Sequence, residues 1–203
     1  LLPDPKIYWS FTKKAIYGSN NLLKLSEEEI QRDLEANLRL SVKQRMLSDV
    51  PLGAFLSGGI DSSIMVALMQ SQSNVPIKTF SIGFEEDKFN EAHHAKKVAK
   101  HLGTDHTELY FSSKTAIEVI PKLSIIHDEP FADNSQIPSF ILSELAKKQI
   151  KVALSGDGGD ELFCGYNRYI SINNWSKKFN LVPLLLRKFL ANGIKSISRE
   201  HWR

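Results

Sequence analysis

Two glycine-rich segments carry the side chains with chemistry to offer, Ser57-Gly58-Gly59-Ile60-Asp61-Ser62-Ser63 and Ser155-Gly156-Asp157-Gly158-Gly159-Asp160-Glu161. Each follows an apolar run, Leu52 to Leu56 and Ile150 to Leu154, of the kind that forms a buried strand. In the first segment the paired glycines let the backbone turn sharply and come close to a ligand. Orphan amides and the dipole of the helix that follows, with the hydroxyls of Ser57, Ser62 and Ser63, then make an anion site. Asp61 would repel a bare phosphate, so a magnesium-bridged nucleotide is the ligand that accounts for it. No Gly-Lys-Ser/Thr follows, which excludes the loop that grips phosphates with a lysine.

The second segment repeats the Ser-Gly opening and adds acids. At the same edge of one sheet the two loops can face each other across a cleft, giving an ATP-Mg²⁺ site with an acid or base nearby. The plainer readings are a capped strand-to-helix turn for the first and an acidic surface turn or calcium loop for the second. The alternating ligands of a calcium loop are missing.

Elements to position these loops are legible along the chain. Residues 1 to 25, with Pro3, Pro5, Gly18 and Asn20-Asn21, read as an irregular linker or the edge of something upstream. Ser26 and Glu29 form a capping box for a helix carrying Ile30, Leu34, Leu38, Val42 and Met46 on one face and ending before Pro51. Beyond the Ser57 loop and its helix, Ile77 to Phe84 reads as a strand and Glu91 to Leu102 as a helix closed by Gly103. Thr107 to Phe111 is the next strand. A helix follows over Thr115 to His127, broken at Pro121, and another over Pro138 to Lys148 with proline in its first turn. This rhythm predicts an α/β fold, a Rossmann-like parallel sheet with helices on both faces and ligands beyond the carboxyl ends of the strands.

Composition sets bounds. With 42% hydrophobic and 24% charged residues the chain is neither disordered nor membrane-spanning. A net charge of +3 is too small to call for nucleic acid. The lone Cys164 cannot close an internal disulfide and reads as a small core residue in a reducing, cytoplasmic setting. The histidines show no zinc spacing, and His93-His94 reads as a solvated helix face.

Four blocks in order carry a resemblance to a known family: Ser48-Asp49-Val50-Pro51-Leu52-Gly53 with Leu56 to Ser63, then Phe80-Ser81-Ile82-Gly83-Phe84, then His101-Leu102-Gly103-Thr104, then Leu154 to Tyr166. Over about Ser26 to Tyr169 the chain resembles the synthetase domain of glutamine-hydrolysing asparagine synthetases. That resemblance implies an ATP pyrophosphatase fold of the adenine nucleotide alpha hydrolase type. It also implies a two-step ligase reaction in which aspartate is adenylated, pyrophosphate leaves, and ammonia displaces AMP to give asparagine. By position, it assigns pyrophosphate and Mg²⁺ to Ser57, Gly58, Gly59, Asp61 and Ser62, with Ser63 and Ser155 completing the ATP site. Backbone of Leu56, Ile82 and Gly156 would line the adenosine. Asp157 takes the place of the acid tied to the adenylate, and Asp160 that of a second magnesium contact.

The chain departs from the family pattern in three places. Housekeeping synthetases usually carry Glu where Asp157 stands. The loop Asp128-Glu129-Pro130-Phe131-Ala132-Asp133-Asn134-Ser135 resembles relatives from surface-polysaccharide and other biosynthetic clusters. Substrate contacts from Asp128, Glu129, Asp133 and Ser135 therefore stand beside a simpler reading, a turn rich in capping residues. Neither a glutaminase domain with its N-terminal cysteine nor the family's downstream lysine is seen, so a fragment is expected, with ammonia supplied by a glutaminase domain absent here. A synthetase domain over 26 to 203, truncated at its C-terminus, follows from that reading, and a homodimer is left open. The competing functions are amidation of a sugar or other non-aspartate carboxylate, a tRNA-modifying pyrophosphatase, and a nucleotide-binding module without catalysis. The second calls for extra cysteines or a basic RNA surface, and the third would shed acids such as Asp61, Asp157 and Asp160.

Overall fold

A computed structural model describes residues 5–84, 92–129 and 132–195. It divides into two compact units, residues 1–47 and 48–203.

In the first unit, α1 (Phe11–Asn20) starts where Ser10 accepts a hydrogen bond from the amide of Lys13. The reading of residues 1 to 25 as irregular is thereby corrected. Gly18, Asn20 and Asn21 mark the end of a helix, with Asn21 as its C-cap, and do not signal the absence of one. α2 (Glu27–Arg45) opens with the predicted capping box: the Glu29 carboxylate takes the Ser26 amide at 2.8 Å and the Ser26 hydroxyl takes the Glu29 amide at 3.3 Å. Of its apolar face only Val42 is buried, whereas Ile30 and Leu34 remain exposed.

The second unit is built on four parallel strands, β1 (Leu52–Phe55), β2 (Lys78–Phe84), β3 (Asp105–Phe111) and β4 (Val152–Leu154), in the order β3-β2-β1-β4. Right-handed crossovers fix the layers. α3 (Ile60–Gln70) and α4 (Ala92–Leu102) link strands laid down in one direction across the sheet, so they share a face. α5 (Ser113–His127) and α6 (Gln136–Ala146) carry the chain back past β2 and β1 to β4, so they cover the other. Side-chain alternation agrees with this. Phe80 packs with Ala146 and Ile150, and Phe111 with Val119 and Ile141, on the α5-α6 face. Thr79 and Ser81 point the opposite way, toward α4, where Ala92, Ala95 and Ala99 let the helix lie close. Gly103, at φ 71°, follows the end of α4 as expected. Glu91, expected to open that helix, lies outside the described residues.

Two further expectations are corrected. Pro121 does not break α5. It lies on the exposed side of the helix, where water can satisfy the Ile117 carbonyl that loses its partner, while Val119 and Leu123 pack on both sides of it. Cys164 is exposed and not a core residue, because it caps the short α7 (Gly159–Phe163) in the left-handed region at φ 59°. Beyond it, α8 (Asn167–Asn180) has every side chain exposed, and α9 (Leu184–Lys195) completes the described chain. No helix among the described residues is long and apolar enough to cross a membrane.

Candidate active site

β1 and β4 are neighbours although β2 and β3 lie between them in sequence, so the path across the sheet reverses at this pair. Parallel sheets place ligand crevices at such reversals, beyond the carboxyl ends of the strands. Both glycine-rich loops leave from those two ends.

The first loop is folded by its own hydroxyls. Ser62 Oγ donates to the Gly59 carbonyl at 3.3 Å, which leaves the Ser57 hydroxyl as donor in the 2.9 Å contact between the two serines. Ser57 Oγ in turn accepts the Gly59 amide at 3.2 Å, and Ser62 Oγ accepts the Ser57 amide at 3.3 Å. Two hydroxyls expected to meet a ligand are therefore engaged in shaping the turn. The Ser63 hydroxyl is different, being buried without a partner. First-turn amides of α3 also have no acceptor within the helix. Gly58 sits at φ 86°, and a Cβ there would come 2.6 Å from the Ala95 amide nitrogen and 2.9 Å from His94 Cβ. The loop thus lies against the first turn of α4. His93 and His94 are exposed, with ring centroids 4.0 Å apart, as a solvated face should be. What the sequence reading missed is that the backbone beneath them abuts the loop.

The second loop rests on the first. A Cβ at Gly156 would stand 2.7 Å from the Ser62 amide nitrogen and 2.9 Å from the Asp61 carbonyl carbon. One at Gly159 would fall on the Asp61 carboxylate. Gly156 could not carry a side chain without parting the loops, whereas one at Gly159 would displace the Asp61 carboxylate. The Gly158-Gly159 pair was visible in the sequence, but its role in making room for Asp61 depends on tertiary packing. Asp160, the next residue, packs in turn against Gly165. Asp61 and Asp160 thus stand in the first turns of α3 and α7, the first carboxylate against Gly159 and the second against Gly165.

Asp157 is exposed and accepts the Ser155 hydroxyl at 2.8 Å. Glu161 accepts the Tyr166 hydroxyl at 2.6 Å, a bond that lowers the Glu161 carboxyl below its usual range and raises the tyrosine. Arg168 lies 4.0 Å over the Tyr166 ring. Leu56 is 1% exposed, and its amide donates to the Phe80 carbonyl at 2.9 Å, extending the β1-β2 ladder into the loop. The Ile82 side chain packs toward Phe111 and Val119, so only its backbone is available on the strand.

Asp61 and Asp160 are the two carboxylates that could hold a magnesium ion. Magnesium takes one or two carboxylates and fills its shell with phosphate and water, which Asp61 and Asp160 can serve.

Asp128, Glu129, Asp133 and Ser135 are exposed in the turn between α5 and α6. Asp128 ends α5 at φ 58°. Asp133 accepts the Ser135 amide at 2.8 Å and its hydroxyl at 2.7 Å, and these two bonds hold its carboxyl below the usual range. Pro130 and Phe131 of this turn lie outside the described residues.

Residues 33–203 match the family model described as Asparagine synthase. The chain is 42% identical over 166 residues to the putative asparagine synthetase [glutamine-hydrolyzing] 2 of Methanocaldococcus jannaschii, covering 81% of this chain. It is 39% identical over 193 residues to asparagine synthetase [glutamine-hydrolyzing] 1 of Bacillus subtilis, covering 94% of this chain. It spans 30% and 29% of the lengths of those relatives. Among solved structures, an NMN synthetase from Francisella tularensis is similar at a TM-score of 0.44 and 16% identity, over 70% of this chain and 59% of that one. From the match over residues 33–203 and the relatives' identity across most of its length, this chain belongs to the asparagine synthase family.

Proposed function

We propose that this chain carries the adenylating site of an ATP-dependent amide ligase, with aspartate as the acid and asparagine as the product. The observation that carries the reading is the seam between the two loops, where Gly156 and Gly159 bring the acidic loop onto the first turn of α3 at the sheet's reversal point.

ATP would lie with its adenosine along the backbone of Leu56, Ile82 and Gly156 and its β- and γ-phosphates over Ser57 to Ser63. A carboxylate oxygen of the acid attacks the α-phosphorus and the bond to the pyrophosphate oxygen breaks, leaving a mixed anhydride. Ammonia then attacks the acyl carbon, and AMP departs with the oxygen that came from the acid. The first-turn amides of α3 would stabilise charge gathering on pyrophosphate as it leaves. Magnesium held by Asp61 and Asp160 would neutralise the same charge. Asp157, which accepts the Ser155 hydroxyl, would orient the incoming ammonia or take its proton. The printed names of the relatives point to glutamine as the ammonia source in the whole protein.

Substrate identity is tested by exchange of labelled pyrophosphate into ATP by the full-length protein over a panel of carboxylates. Aspartate should support exchange well above an acid-free control. Exchange only with a sugar acid or another non-aspartate carboxylate would replace asparagine as the product.

A further inference from the structure

The sheet face under α4 has a polar interior that the proposed reaction does not use. Thr79 and Ser81 are 0% and 3% exposed, and half-buried His106 on the next strand joins them. Its Nδ1 is 2.9 Å from Thr79 Oγ1 and its Nε2 is 3.2 Å from Ser81 Oγ. The line continues from Thr79 Oγ1 to Thr104 Oγ1 at 2.9 Å and from Thr104 to the Ala99 carbonyl at 3.5 Å.

A carbonyl only accepts, and that fixes the proton order. Thr104 donates to Ala99, Thr79 donates to Thr104, and Thr79 must then accept from Nδ1–H of His106. In the neutral imidazole Nε2 is then an acceptor for the Ser81 hydroxyl. With the imidazole neutral, this arrangement satisfies all four side chains. Burial pushes His106 below the ordinary imidazole range; the nearby Glu108 charge opposes this, and Lys96 adds to it. Glu108, 13% exposed, is itself held by Lys96 Nζ at 3.0 Å and by the Tyr110 hydroxyl at 2.9 Å.

The braced stretch of β2 leads into the nucleotide site. Phe80, between Thr79 and Ser81, accepts the Leu56 amide, and Ile82 follows Ser81 directly. We infer that His106 is a positioning residue of the nucleotide site, clamping Thr79 and Ser81 so that Leu56 and Ile82 present their backbone to the adenosine. The inference rests on the proposed placement of adenosine along these two residues.

The test is equilibrium binding of Mg·ATP to the full-length protein without acid, followed by exchange kinetics. Binding reads His106 whether or not exchange occurs, so failure of the proposed reaction and failure of this inference are told apart. His106→Ala should weaken ATP binding about tenfold, the scale of one hydrogen bond lost from a bound state. It should raise KM for ATP alike, with KM for the acid and kcat at saturating ATP within about twofold of the parent. His106→Gln, which keeps a donor and an acceptor, should recover most of the loss. Ser81→Ala removes only a small hydroxyl and should weaken ATP binding several-fold, which keeps the test open should His106→Ala fail to fold. Unchanged ATP affinity in folded Ser81→Ala, or equal rises in both KM values, would overturn the inference.

Discussion

Asp61→Asn should reduce acid-dependent pyrophosphate exchange by at least about a hundredfold, the scale seen when one preorganised charge-stabilising group is lost from a transition state. The substitution keeps the shape of the side chain and removes its charge. Because the Ser57-Ser62-Gly59 bonds shape the loop without Asp61, stability by urea titration should change by no more than about 0.5 kcal/mol. A folded variant with unchanged exchange would mean that Asp61 is only a first-turn acid favoured by the dipole of α3.

Gly156→Ala is expected to have an effect of similar size for a different reason. The added methyl meets the Ser62 amide nitrogen and the Asp61 carbonyl carbon, both backbone atoms that no rotamer change can move aside. The loops must part. A displacement of about 1 Å at a reacting centre is enough to cost about a hundredfold in rate. Overpacking should also cost about 1–3 kcal/mol of stability. Ser155→Ala, by contrast, removes one hydrogen bond to Asp157 and leaves the seam intact. Parallel exchange assays and urea titrations on the two variants would separate seam from local bond. Equal and small losses in both would show that contact between the loops is not what assembles the site.

What was legible in the sequence was what local chemistry decides. Ser26 and Glu29 announced a helix start that the structure forms with both reciprocal bonds. The Ser-Gly openings after apolar runs announced two loops at strand ends, and both are there. Less legible was anything decided by a distant partner. Pro121 reads locally as a break, yet packing of Val119 and Leu123 carries α5 through it. Cys164 reads as a core residue by type, yet a short helix ends there and turns it outward. His106 looked unremarkable because its partners, Thr79 and Ser81, are brought to it only by β2-β3 register. The same holds for Gly159, whose neighbour is the carboxylate of Asp61.

In the proposed reaction a carboxylate of the substrate is joined to the α-phosphate of ATP at the seam between the Ser57 and Ser155 loops. The most direct measurement supplies aspartate labelled with ¹⁸O in its side-chain carboxyl group, together with ATP and ammonia, to the full-length protein and follows the label by mass spectrometry. One labelled oxygen should appear in AMP and none in pyrophosphate. Label appearing in inorganic phosphate beside ADP, or amide formed with unlabelled AMP, would contradict it.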